Sequence, residues 1–511
     1  MVGTPTKLAT VTWHLGRRKP EAAEALAEGR AQLDIQMWDR FQHHMRAHAA
    51  EAPKFPPLRR VENSGRAVAF VPLHLALRAS VLRFAAPGSD RGLRVCTSLG
   101  ADAMRAALAG LGEVANLTVW IPKGDALRRL LAKSHGFGRI EELGADEPTA
   151  PLLTPAAWTL AALQGCDLEH LRRAMEDAVL ELCAPEANPE GDPGSLAALA
   201  IGLARKGASN LLITGPSELR PLLEWLESCA AQLPAPVEFP AASGAALEDP
   251  ERYRKDRWCI NYLLATAPGA VPSDPVSAGH AHRARRLIGA GVPVVQFELP
   301  SRDALAGELA RWQWVFLLAP GRARPTRLHD DEDGLLPADH EAALRDGPLA
   351  IYAAAPNHAY ILRKVAGTLG KKAETSLPAW IAAQAAMGDS GEYVSLHWLG
   401  LPTREARDAL AELQRTMSGP NQLAVRVSFS LPEFDGVHPL AGASPRGLFF
   451  ILSDGGGAEL AGSRRAALGA EERALALLAN AGRRAILLRA EDGDASKLIA
   501  ALKAAGQLLT P

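Results

Sequence analysis

Thr214, Gly215, Pro216 and Ser217 stand between an apolar run, 210–214, and a stretch of helical pattern, 218–232. Hydroxyls and a glycine there could seat an anion on the free N–H groups that open a helix. Ser217 suits a plain N-cap equally well, since a cap needs only an oxygen that accepts one backbone N–H. Gly455, Gly456 and Gly457 follow another apolar run, 448–453, where bare backbone could approach a phosphate. No P-loop lysine or dinucleotide fingerprint accompanies them, and a flexible connection is the simpler reading. His44 and His48 are spaced to share one helix face. They lack the intervening glutamate of a metalloprotease and a third ligand. His329 with Asp330, Asp331, Glu332 and Asp333 lacks the spaced ligands and central glycine of a calcium loop. Both histidine groups read as solvated surface, so no metal and no cofactor is expected.

The elements that must hold these residues alternate. Short apolar runs at 67–71, 93–97, 117–121 and 140–143 predict strands, with helical patterns at 75–84, 101–111 and 125–135 between them. A long helical stretch, 155–183, and a Pro/Gly/Glu-rich linker, 185–194, follow. The alternation resumes with strands at 210–214, 237–239, 258–266 and 292–299 and helices at 195–206, 218–232, 281–290 and 303–319. A third round has strands at 349–354, 393–399, 424–428, 448–453 and 484–488. Its helices are expected at 357–369, 403–416, 466–481 and 495–506. Continuous apolar strands between amphipathic helices predict parallel sheets covered on both faces. Residues 1–60 read as an N-terminal helical arm. Met37, Trp38, Phe41 and Met45 lie on one of its faces, which could dock on a partner or pack on the chain itself.

The chain has 511 residues, 48% hydrophobic and 22% charged, ordinary values for a globular protein of several domains. A net charge of −1 gives no reason to expect nucleic acid or an anionic membrane as partner. No run is long enough for a membrane helix and no signal peptide is visible, so a cytoplasmic protein is expected. The five scattered cysteines fit neither a disulfide framework nor a Cys-x-x-Cys site.

Four stretches together resemble the phosphoglucose isomerase family, in particular the isomerase half fused to transaldolase in some bacteria. They are GASNLLITGPSELRPLLEW at 207–225, and GVPVVQFEL at 291–299 with LAGELARWQ at 305–313. The others are LLTPA at 152–156 leading to LQGCD at 163–167, and GEYVS at 391–395 with GLFFILS at 447–453. The resemblance runs from about residue 65 onward. It implies an α/β fold of tandem doubly wound sugar-isomerase domains, at 61–185 and 190–345. A C-terminal α/β domain at 346–511 would follow, with the helical arm ahead of them.

The family's functional positions are mostly altered. Its glycine- and serine-rich phosphate loop follows the first strand, where this chain reads Val71-Pro72-Leu73-His74-Leu75-Ala76. A second phosphate loop has no room, because Gly112 runs almost directly into the strand at 117–121. The family's arginine before the Leu-Thr-Pro stretch is matched by Thr149. Its glutamate base follows an Arg-Trp pair, and Gln313 follows Arg311 and Trp312 here. A neutral amide cannot take the C2 proton of aldose–ketose isomerisation. The lysine expected before Gly447 is absent from 437–446, leaving His438 and Arg446 as its candidate replacements.

The expectation is a catalytically degenerate member of this family, serving as a binding, scaffolding or regulatory subunit. The alternative is a working glucose-6-phosphate isomerase with a rearranged site. Its catalytic candidates would be Gln313, His438 and Arg446, with Thr214 and Ser217 binding ligand. The partners expected are a sugar phosphate and a protein partner or a second copy of the chain.

Overall fold

The structure is a computed structural model. It describes residues 8–33, 67–97, 101–146, 152–182, 191–205, 210–229, 237–238 and 257–264. With short gaps it also describes 282–318, 342–353, 376–418, 424–430, 447–453 and 471–509. The described residues form an α/β protein with three largely parallel sheets.

The N-terminal segment contains a strand, β1 (Thr10–His14), and a helix, α1 (Lys19–Gln32). Residues 10–14 therefore depart from the expected helical arm. Their Thr-Val-Thr-Trp-His alternation suits an edge strand with one covered face.

The first sheet is built from β2 (Ala67–Phe70), β3 (Arg94–Cys96), β4 (Thr118–Ile121) and β5 (Arg139–Glu142). All its pairings are parallel, in the order β3-β2-β4-β5. The helices α2 (Leu73–Ala85), α3 (Ala101–Leu108) and α4 (Ala126–Ser134) connect them. The stretch expected as one helix at 155–183 is two, α5 (Pro155–Leu163) and α6 (Leu168–Leu182), followed by α7 (Pro193–Arg205). Gly165, with φ +91°, turns the chain between the first two.

The second sheet comprises β6 (Asn210–Thr214), β7 (Val237–Glu238), β8 (Arg257–Leu264) and β9 (Val294–Leu299). They are parallel in the order β7-β6-β8-β9, and β1 adds antiparallel beside β9. Helix α8 (Arg220–Cys229) follows β6, and α9 (Leu305–Leu318) follows β9. Helix α1 packs on α7 with the two backbones in contact. A Cβ on Gly29 would stand 1.8 Å from the Ala198 carbonyl oxygen, and one on Gly202 would stand 2.0 Å from that of Ala25.

The third sheet opens with β10 (Leu344–Asp346) and β11 (Leu349–Ala353); helix α10 (Leu377–Ala386) comes next in the chain. Its parallel part joins β12 (Tyr393–Leu399), β13 (Ala424–Ser430), β14 (Gly447–Ser453) and β15 (Arg484–Ala490). Their order is β13-β12-β14-β15, with β11 antiparallel beside β15. Helices α11 (Arg404–Ser418) and α12 (Ala495–Leu509) cover one face.

In each sheet the parallel strands thus run second, first, third, fourth. In such sheets the chain reverses its direction of travel between the first and third strands, and the carboxyl ends of those two strands frame a crevice. The three crevices lie at β2/β4, β6/β8 and β12/β14. One apolar core runs continuously from a face of the first sheet to a face of the second, through Ala69, Leu75, Leu160, Leu171, Trp258 and Trp312. The third unit joins the second at α8, where Arg407 Nη1 and Nη2 lie 2.7 Å from the two carboxylate oxygens of buried Glu227.

Candidate functional site

The first crevice is lined by charged side chains of the chain itself. The chain leaves β2 through buried Val71 and enters α2 at Pro72, which occupies the N-cap without a side-chain cap. From the first turn of α2, His74 Nε2 reaches 2.7 Å from Asp146 Oδ2. Arg78 Nη1 donates to Asp146 Oδ1 at 3.1 Å, and Thr154 Oγ1 donates to the same oxygen at 3.1 Å. Thr154 also accepts from the Ala157 N–H and so caps α5. Burial alone would push the Asp146 carboxyl up. The hydrogen bond and charge of His74, with Arg78 and Thr154 behind them, outweigh that and hold it below the ordinary aspartate range. The cationic groups here are thus engaged by a carboxylate of the chain itself.

The second crevice is assembled differently. Strand alternation puts Leu212, Cys259 and Val294 on one face of the sheet, where they pack with Leu287 and Val292. The next row on that face, nearer the carboxyl ends, is polar. Thr214 is in register with Asn261, Asn261 with Gln296, and Gln296 with Thr12. Thr214 and Asn261 are 4% and 1% exposed, while Thr12 is exposed at the β1 edge. Asn261 Nδ2 has no hydrogen-bond partner among the described residues. Gln296 Nε2 donates to Glu298 Oε1, one row further along.

Ser217 is exposed, and its hydroxyl lies 3.3 Å from Glu218 Oε2. It does not serve as an N-cap, the plain structural role the sequence suggests for it. Pro216 holds that position at the start of a 3-10 turn, without a side-chain hydrogen bond. The Glu218 carboxylate sits in that first turn, which works against an anion at the same place.

The opposite face of this sheet holds the Arg-Trp pair. Glu308 on α9 accepts from the Tyr262 hydroxyl at 3.1 Å and from Arg311 Nη1 at 2.5 Å, while Trp312 Nε1 donates to the Tyr262 hydroxyl. Arg311 also lies over the Phe297 ring at 5.2 Å. Burial pushes the Glu308 carboxyl up against the pull of Arg311. Glu308 and Arg311 are fully enclosed, so this network holds α9 to the sheet. Gln313 is half-buried, and its Oε1 has no partner among the described residues. Since α9 covers the Trp258 and Tyr262 face and Thr214 lies on the other, the structure does not bring Gln313 and Thr214 together.

Beside the third crevice, an ion pair stands at the carboxyl ends of β14 and β15. Ser453 at the end of β14 donates to Glu471, Arg489 of β15 donates to the same carboxylate, and Arg489 lies over the Tyr352 ring at 4.9 Å. Deeper in the sheet, His397 Nδ1 lies 2.8 Å from Ser428 Oγ. Burial pushes this imidazole down to about 3, so it is neutral.

His438 and Arg446 lie outside the described residues. So do Thr149, His44, His48, the His329 cluster, the three glycines at 455–457 and the stripe of Met37, Trp38, Phe41 and Met45. Among the described residues no group of His, Cys, Asp and Glu is arranged to hold a metal ion. No described helix is long and apolar enough to cross a membrane. The described cysteines are buried thiols, and burial raises Cys166 to about 12 and Cys229 to about 11.

Sequence reading missed Asn261 and the partnership of His74 with Asp146. A lone amide inside the apolar run Trp-Cys-Ile-Asn-Tyr-Leu-Leu was the available signal for the first. Nothing local signals the second, whose members are 72 residues apart.

No family model matches the chain, and no curated protein matches it. Several solved structures are similar at a low level. A hypothetical protein of Thermus thermophilus is 14% identical with a TM-score of 0.37, over 61% of this chain and 95% of that one. A glucose-6-phosphate isomerase of Chlamydia trachomatis is 11% identical with a TM-score of 0.37, over 62% and 84%. The C-terminal domain of a glucosamine-fructose-6-phosphate aminotransferase of Francisella tularensis is 7% identical with a TM-score of 0.32, over 57% and 97%. Likenesses of this size say nothing of what this chain binds or does.

Proposed function

We propose that the chain is a sugar-isomerase-like protein without isomerase chemistry, acting as a binding or regulatory subunit, alone as a homo-oligomer or beside a protein partner. The observation that carries this reading is the first crevice, where Asp146 of the chain itself engages His74 and Arg78. Gln313 supports it, since an amide cannot accept the C2 proton. The nearby carboxylate of α9, Glu308, is enclosed and bound to Arg311 and Tyr262, so it offers no substitute base.

The test is a coupled assay on pure protein with glucose 6-phosphate and fructose 6-phosphate, run in both directions. No turnover above a mock purification is expected, for the wild type or for Gln313→Glu, because the variant restores a base without a phosphate site. Turnover that is lost in His438→Ala or Arg446→Ala would establish the alternative, a rearranged glucose-6-phosphate isomerase.

A further inference from the structure

We infer that the third unit is a movable module, held against the second by a charge latch between Glu227 and Arg407. Making or breaking this one pair switches the chain between a latched and a released arrangement. The latch operates whether or not the chain turns over a sugar phosphate.

Three observations converge. First, among the described residues the two units do not share a core. The apolar cluster that joins the first and second sheets ends at Leu318, and the buried residues of the third unit's two clusters run from Leu349 to Ala505. Units joined without a large apolar interface are expected to move relative to each other.

Second, an enclosed ion pair stands at the seam. Strand β13, at the edge of the third sheet, runs beside α8 and beside β7, at the edge of the second. There the Arg407 guanidinium faces the Glu227 carboxylate with both terminal nitrogens, each 2.7 Å from its own oxygen. The Glu227 side chain is 2% exposed and that of Arg407 22%. The third unit aims the guanidinium with its own groups. Arg407 Nε donates to the Pro402 carbonyl at 3.2 Å, and the guanidinium lies 5.8 Å from the Phe429 ring on β13.

Third, each charge is placed against its own helix. Glu227 lies in the last turn of α8, where the helix dipole disfavours an anion. Arg407 lies in the first turn of α11, where the dipole disfavours a cation. Neither position suits the helix that carries it, and each suits the charge across the seam. A pair taken out of water adds little net adhesion, because desolvation offsets the attraction, but two matched forks fix an orientation. The pair therefore sets the pose of the third unit. Without Arg407, the enclosed Glu227 carboxylate regains water only when the units part. The joint is closed with the pair made and open with it broken.

The experiment is a distance measurement by pulsed electron spin resonance on the full chain. Spin labels are introduced as unnatural amino acids at exposed Ser217 on the second unit and exposed Lys503 on the third, leaving the native cysteines in place. Mildly alkaline pH keeps every carboxyl at the seam ionised. The wild type is expected to give one narrow distribution. Arg407→Glu sets two carboxylates against each other and is expected to move the distribution to longer, broader distances, with the secondary structure retained by circular dichroism. The exchanged variant Glu227→Arg/Arg407→Glu restores opposite charges across the seam and is expected to return most of the distribution to the wild-type distance. Two residues acting separately would not recover in this way. If Arg407→Glu does not fold, Arg407→Gln, which removes the charge and keeps a polar side chain, decides by the same shift. The proposal is overturned by a broad wild-type distribution or by one unchanged in the single variant. It is equally overturned by an exchanged variant as displaced as the single one.

Discussion

The first and second sheets share a strand order and a crevice in the same position, yet their crevices are filled in opposite ways. At β2/β4 the carboxylate of Asp146 meets His74, Arg78 and Thr154, and they hold its pKa low. At β6/β8 the described groups are neutral, and Asn261 Nδ2 has no partner among the described residues. The third crevice resembles the first, with Glu471 between Ser453 and Arg489. A shared topology therefore places three equivalent crevices, and side chains alone decide what fills them. At β2/β4 and beside β14 ion pairs serve the fold, whereas the described groups at β6/β8 are neutral.

Substitutions can break this contrast at either end. Asp146→Ala has the largest expected effect, because it leaves Arg78, 1% exposed, and His74 buried without their carboxylate. Breaking a buried ion pair by removing one of its partners costs about 3 to 5 kcal/mol. Denaturant unfolding should show it, with no change in the slope. Glu471→Ala should cost somewhat less, about 3 kcal/mol, since Arg489 is less enclosed than Arg78 and can turn toward water. Thr154→Ala removes the cap of α5 and one hydrogen bond to Asp146, and should cost about 1 kcal/mol in the same measurement. Asn261→Leu should change the sign. Replacing a buried amide whose Nδ2 has no partner among the described residues by an apolar group of similar size should leave stability unchanged or raise it by up to about 1 kcal/mol. A large loss on Asn261→Leu would show that the second crevice is sealed like the others.

Much of this architecture was legible because buried parallel strands read as continuous apolar runs. The strands at 210–214 and 393–399 fall where the sequence places them. Three features were not legible, each for a physical reason. Strand β1 alternates and is followed by the Ala- and Glu-rich α1, so the segment as a whole reads as helix. The antiparallel insertion of β11 depends on β15, more than a hundred residues later, and no local pattern encodes it. The break between α5 and α6 turns on Gly165, where a Cβ would stand 1.8 Å from the Ser89 carbonyl oxygen, a contact between distant segments. The candidate site follows the same rule. The lack of glycine and serine from Val71 to Ala76 was visible as composition. What fills the crevice depends on Asp146, brought to His74 only by the fold.

The most direct test of the sealed first crevice is the unfolding free energy of the wild type and of Asp146→Asn, measured from neutral pH downward. A carboxyl whose pKa is depressed by folding stabilises the protein above its unfolded value, about pH 4, and that contribution is lost as the pH falls through the folded value. The account predicts a wide gap between the two proteins at neutral pH that closes progressively in acid below about pH 4. A gap that is absent at neutral pH, or one that does not change with pH, would contradict it.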